Sequence, residues 1–96
     1  MSGLEKVRLQ RERILALAAQ HGADRIRVFG SVALRADGPD SDIDFLVSMQ
    51  PDRDLFDLLA LKRELDSLLH QPADVVTDEE LSPYLRQRIQ SEAVAV

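Results

Sequence analysis

Four aspartates, Asp37, Asp40, Asp42 and Asp44, fall within eight positions where a strand is about to begin. Like charges repel and Asp is disfavoured in strands, so solvent, a turn or a metal ion must offset the cost of this placement. Positions two apart on a strand share a face. Asp42 and Asp44 therefore present their carboxylates together, while Ile43, Phe45 and Val47 turn to the other side. Two carboxylates on a rigid strand suit a hard cation, and Mg²⁺ is typically held by one or two carboxylates plus water and substrate phosphates. Asp37 and Asp40 flank Gly38-Pro39 and read as turn formers.

Gly30-Ser31 offers a different chemistry. Glycine lets the backbone approach a ligand closely, a following helix offers unpaired N–H groups to a phosphate, and Ser31 adds a hydroxyl. Phosphate at the turn and metal at the carboxylates together point to a nucleoside triphosphate. Other phosphate and metal motifs fail by register. A calcium loop beginning at Asp40 would put Phe45 where glycine is needed and Pro51 where glutamate is needed. Neither the P-loop pattern nor the dinucleotide glycine pattern occurs.

The elements that must bring these residues together follow from periodicity. Residues 4–21 read as a helix, with Leu4, Val7, Ile14, Leu15 and Ala18 near helical spacing and His21-Gly22 as a stop. A first strand spans 25–29, a short helix follows within 32–36, and a second strand runs over about 42–48. Residues 54–70 carry the strongest helical signal, with Leu55, Leu58, Leu59, Leu65 and Leu69 as one face. Leu61 and Leu68 widen that face, most simply as core and alternatively as a partner surface. A third strand spans 73–77, and Ser82-Pro83 opens a last helix with a cap and a first-turn proline. The order predicts a single α/β domain over 1–96. If the first two strands are antiparallel neighbours and the third lies parallel to the second, a three-stranded mixed sheet of order 1-2-3 gathers Gly30, Ser31, Asp42, Asp44 and Asp74 at one edge.

Composition narrows the function classes. The net charge is −5, and the 12 basic residues, 10 of them Arg, are scattered, which argues against general nucleic-acid binding. Without cysteine there is neither a disulfide framework nor a thiolate metal site. The longest apolar run, Ile14 to Ala19, falls far short of the roughly 18 residues of a spanning helix, and charges interrupt the N-terminus. A cytoplasmic protein is expected. His21 and His70 fall at helix ends, where imidazole complements the dipole, and Tyr84, the only tyrosine, reads as surface or packing rather than as a self-modification site.

Gly30-Ser31, ten residues, then Asp42-Ile43-Asp44 resembles the signature of the DNA polymerase β-like nucleotidyltransferases. The chain looks most like their minimal members, the MNT-type antitoxins of HEPN/MNT toxin–antitoxin pairs. The resemblance runs over about Val28 to Val47 and more weakly to the chain end. It implies the nucleotidyltransferase fold, ATP as substrate, and two Mg²⁺ ions held by Asp42, Asp44 and Asp74, with Asp74 also helping to deprotonate the acceptor. Gly30 and Ser31 would grip the triphosphate. The implied reaction is AMP transfer to a tyrosine of a partner HEPN ribonuclease, which silences the toxin. With 96 residues and no separate acceptor domain in the chain, an acceptor on another protein is expected, and transfer to a small molecule is disfavoured.

Many relatives read G-S-x-A-R-G after the first strand. Here Leu34 stands where Arg is common and Arg35 where Gly is common. Arg35 is the candidate to supply the missing nucleotide-binding charge from the neighbouring position. The alternative is a weakened site, in a protein that neutralises its partner by binding alone.

Overall fold

A computed structural model describes residues 2–38 and 41–96; Met1, Pro39 and Asp40, the last assigned above to the turn, lie outside the described residues. Helix α1, Gly3–Leu9, opens on Ser2, whose hydroxyl accepts from the Glu5 amide at 3.2 Å. Helix α2, Arg11–Gln20, follows directly. In place of one helix over 4–21, the structure has two, divided at Gln10, whose amide is shared between the Lys6 and Val7 carbonyls. The sequence carries no Pro or Gly there to announce the break.

Strand β1, Ala23–Phe29, leads into the four-residue helix α3, Gly30–Ala33, placed two residues earlier than expected. Strand β2, Ile43–Met49, is antiparallel to β1. Helix α4, Leu55–Leu69, is fixed at its start by a reciprocal capping box: Asp54 accepts from the Asp57 amide at 3.2 Å, and Asp57 accepts from the Asp54 amide at 3.1 Å. It crosses over to strand β3, Ala73–Thr77, which lies parallel to β2. A 3-10 turn at Asp78–Glu80 and helix α5, Pro83–Glu92, complete the connection to strand β4, Val94–Ala95. Among the described residues, no helix is long and apolar enough to cross a membrane.

The sheet has four strands in the order β3-β2-β1-β4, so the expected 1-2-3 arrangement is extended by one strand. Val94 and Ala95 pair antiparallel with Val28 and Arg27 on the free edge of β1. The last helix stops at Glu92, because Ala93 is already extended and hands the chain to that edge. A two-residue strand has too little pattern to be read from sequence.

Helices α2 and α4 cover one face of the sheet. There Ile43, Phe45 and Val47 of β2, all fully buried, meet Leu61 and Leu65 of α4 and Ile14 of α2. The buried face of α4 is Leu58, Leu61, Leu65 and Leu69, a spacing of three and four. Leu61 is core, as its place in the widened face implies, but the expected face is corrected at Leu55 and Leu59, which are exposed, at 65% and 43%, next to an exposed Phe56.

The other face carries Asp44, Leu46 and Ser48, and α5 packs over its β1 side. Arg27 is buried there and donates through Nη2 to the Asp78 carboxylate at 3.3 Å. Asp78 also accepts from Ser48 Oγ at 2.8 Å and from Gln90 Nε2 at 2.9 Å, which ties sheet, 3-10 turn and α5 together. Burial pushes the Asp78 carboxyl up, but the hydrogen bonds from Gln90 and Ser48 and the Arg27 guanidinium outweigh it and hold the group below its ordinary 3.8. A carboxyl lowered by folding contributes stability that is present above its unfolded value and lost as pH falls through the lower folded value. Asp78→Asn, which leaves Arg27 buried without its counter-charge, is expected to cost about 1–3 kcal/mol at pH 7 and to flatten the acid limb of the stability profile below about pH 4, measured by urea unfolding across pH.

Candidate active site

The site begins where β1 ends. Phe29 lies opposite Asp44 in the antiparallel pair, and Asp44 lies opposite Asp74 in the parallel pair. Gly30, the next residue along the chain, has φ +71°, the left-handed region that favours glycine, and a Cβ added to it would run into Asp44 Oδ2. Glycine is required here on both counts, and its bare backbone sits against a carboxylate. Asp42 precedes β2 and is exposed, Asp44 is half-buried, and Asp74 is exposed. Gly30, Ser31, Asp42, Asp44 and Asp74 thus share one end of the sheet, as the strand directions require.

Electrostatics tie the three acids to one another. Burial pushes the Asp44 carboxyl above its ordinary value, and the charges of Asp74 and then Asp42 push it further. Among the described residues, none of the three accepts a side-chain hydrogen bond or pairs with a cation within 4 Å. Nor do any three acidic or histidine side chains among the described residues already enclose one coordination position. The donor set is hard oxygen, negatively charged and uncompensated, so it fits a hard divalent cation whose remaining ligands are water and phosphate oxygens.

The short helix α3 ends in a Schellman motif. The Ala36 amide donates to the Ser31 carbonyl at 2.8 Å, and the Arg35 amide donates to the Val32 carbonyl at 3.1 Å. Arg35 itself has φ +56°, the conformation in which glycine is favoured. The turn therefore closes despite the Leu34-Arg35 departure, with an arginine held in a backbone region that costs about 1–2 kcal/mol. The Arg35 side chain is exposed, and Leu34 is 58% exposed.

Other sequence candidates lie elsewhere. Asp37 does more than turn the chain: its Oδ2 accepts from the Gly3 amide at 3.0 Å and ties the turn to α1. His21 and His70 stand at the C-terminal ends of α2 and α4, and Tyr84 is exposed on the first turn of α5. A cleft of about 440 Å³ opens at the far end of β2, between Ser48, Thr77, Asp78 and the start of α4, and its walls include none of the carboxylate group. Gln71 and Lys6, unremarkable in the sequence, reach the carboxylate edge through hydrogen bonds: Gln71 Nε2 donates to the Ser41 carbonyl and Lys6 Nζ donates to Gln71 Oε1 at 2.6 Å. A separation of 65 residues leaves no local signal of that contact.

Residues 10–96, everything after α1, match the nucleotidyltransferase domain family. The chain belongs to that family. It is 38% identical over 86 residues, 90% of this chain and 92% of the relative, to a Methanocaldococcus jannaschii protein named as a candidate protein adenylyltransferase. Its fold superimposes on a structure described as a candidate minimal nucleotidyltransferase with a TM-score of 0.90 and 44% identity, over 100% of this chain and 97% of the other. A chain from the complex of tri-AMPylated Shewanella oneidensis HEPN toxin with MNT antitoxin shares the fold at a TM-score of 0.69 and 23% identity, over 92% of this chain and 69% of that one. The family match shows the enzyme class that the resemblance at Gly30-Ser31 and Asp42-Ile43-Asp44 implies.

Two expectations follow for this nucleotidyltransferase. Asp44→Asn removes a charge that burial, Asp74 and Asp42 all oppose and should raise the melting temperature in the presence of a chelator, read by calorimetry at neutral pH. Arg35→Gly should relieve the left-handed backbone, with an effect from near zero to about 1 kcal/mol stabilising in urea unfolding, because the gain is partly offset by a more flexible unfolded chain. If Arg35 also binds phosphate, the same variant weakens ATP binding in a parallel titration.

Proposed function

We propose that this nucleotidyltransferase transfers AMP from Mg²⁺-ATP to a hydroxyl on a partner protein, and that it acts as an MNT antitoxin by modifying a tyrosine of a HEPN ribonuclease. The observation that carries this reading is the register that sets Asp44 beside Asp74 and behind Gly30, with Asp42 two residues away. Two features favour a protein acceptor. The relative from Methanocaldococcus jannaschii is named for protein adenylylation. Asp42 and Asp74 also lie exposed at one end of the sheet, where a side chain on another macromolecule can reach them.

The residues divide the work. Asp42, Asp44 and Asp74 would hold Mg²⁺, two ions in this reading, and the metal would supply positive charge to offset the charge that develops on the attacking and leaving oxygens. Gly30 leaves its backbone open to the triphosphate, Ser31 donates its hydroxyl to a phosphate oxygen, and Arg35 adds positive charge. The acceptor oxygen attacks the α-phosphorus, a new P–O bond forms, and the bond to the bridging oxygen breaks to release pyrophosphate. Asp74 takes the acceptor's proton.

Incubation with Mg²⁺-ATP and the HEPN partner, followed by intact-mass spectrometry, tests this. An AMP adduct is expected on the partner, and Asp42→Asn or Asp44→Asn should reduce its formation at least tenfold, on the order of the loss seen when one positioned catalytic group is removed. A tight complex that neutralises the toxin with no adduct would instead support inhibition by binding alone, the reading that the exposed Leu34 favours.

A further inference from the structure

Helix α1 lies ahead of the family-matched stretch, yet it grips the carboxylate loop at both ends. At one end the Gly3 amide donates to Asp37 Oδ2 at 3.0 Å, and Gly3 packs so closely on Val32 of α3 that an added Cβ would come within 2.9 Å of Cγ2. At the other end Lys6 Nζ donates to Gln71 Oε1 at 2.6 Å, and Gln71 Nε2 donates to the carbonyl of Ser41, the residue before Asp42. The amide orientation is dictated by its partners, because an ammonium only donates and a carbonyl only accepts. Lys6, Gln71 and Ser41 are all half-buried. Between the two grips, the Gly38 amide donates to Ser41 Oγ at 2.9 Å and the Ser41 amide donates to the Gly38 carbonyl at 3.2 Å.

Gln71 also sits three residues before Asp74, on the turn that enters β3. The adjoining Pro72 carbonyl accepts from the Ile43 amide at 2.9 Å. One side chain therefore links the segment that carries Asp42 to the segment that carries Asp74, and α1 holds that link from behind. We propose that Gln71 is a positioning residue for the nucleotidyl-transfer site: it sets where Asp42 stands relative to Asp44 and Asp74, and Lys6 of α1 holds it in place. The assignment rests on the reading of those aspartates as metal-nucleotide ligands. Asp42 lies outside the β2–β3 register, so strand pairing does not hold it as it holds Asp44 and Asp74.

Gln71→Glu separates this role from simple bracing. Glutamate keeps the length and can still accept from Lys6, but as a carboxylate it cannot donate to the Ser41 carbonyl. Its added negative charge would by itself strengthen binding of the free cation but repel the anionic metal–nucleotide complex. Mn²⁺ binding is therefore measured by electron paramagnetic resonance both with a non-hydrolysable ATP analogue and without nucleotide, where a loss cannot be a charge effect, alongside backbone amide NMR and the melting temperature. The expected result is an affinity loss of about tenfold or more, the range for losing an outer-shell partner of a metal site. It should come with shifted Asp42 amide resonances and a melting temperature close to that of the unaltered protein. Lys6→Met, which keeps the aliphatic stem but removes the donor, should give a smaller loss in the same direction. Unchanged Mn²⁺ binding and an unshifted Asp42 amide in Gln71→Glu would overturn the assignment while leaving the functional reading intact. No Mn²⁺ binding by the unaltered protein would defeat the functional reading and the assignment together.

Discussion

The parallel pairing of β2 with β3, in the register that sets Asp44 beside Asp74, is the constraint on which the rest of the site depends. A slip of one residue would turn Asp44 into the core and expel Ile43 and Phe45, both fully buried, from it. The hydrophobic face of β2 therefore enforces the placement of its acidic face. Strong burial on one side of a strand allows mutual repulsion to be tolerated on the other. The crossover helix α4 supplies the counter-surface through Leu58, Leu61, Leu65 and Leu69.

Around that pairing, each support meets the charged edge from a different element. Gly30 comes from the antiparallel neighbour and is pressed against Asp44, which leaves no room for a side chain. Arg35 completes the Schellman turn after α3 in a left-handed conformation, so an arginine stands where the backbone would more readily accept glycine. Such local strain persists only where the surrounding structure over-determines it, and here the 2.8 Å bond from Ala36 to Ser31 closes the turn around Arg35. On the same face as Asp44, the Arg27–Asp78 pair fixes α5 and the 3-10 turn against the sheet. The fold thus keeps one end of that face bound by paired charges and leaves at the other Asp42, Asp44 and Asp74, which among the described residues pair with no cation within 4 Å.

Much of this is legible in the amino-acid sequence. The Gly-Ser pair and the Asp-x-Asp strand start carry the resemblance that implies the enzyme class, and the family match over residues 10–96 shows that class. Strand directions follow from requiring those residues to meet. Ser82-Pro83 marks the start of α5, and the apolar pattern predicts β3 over the same residues, Ala73–Thr77, that the structure shows. The departures share a cause. Periodicity draws the face of α4 through Leu55 and Leu59 because leucines look alike in a repeating pattern, and only the position of the sheet decides which of them are covered. The break at Gln10 has no local breaker, and β4 is an edge pairing of two residues that depends on the free side of β1.

What the sequence determined by itself is the chemistry available: two carboxylates on one strand face, a glycine and a serine ahead of a turn, and a third carboxylate at a strand entry. These are properties of residue type and of periods of two and 3.6, which act over a few residues. Only the tertiary structure decided that Gly30 must lack a Cβ because Asp44 lies against it. The same holds for Arg35 taking the glycine conformation, for Asp37 turning back to Gly3, and for Lys6 meeting Gln71 across 65 residues. Those are contacts between segments far apart in the chain. Packing places them, and no local pattern encodes them.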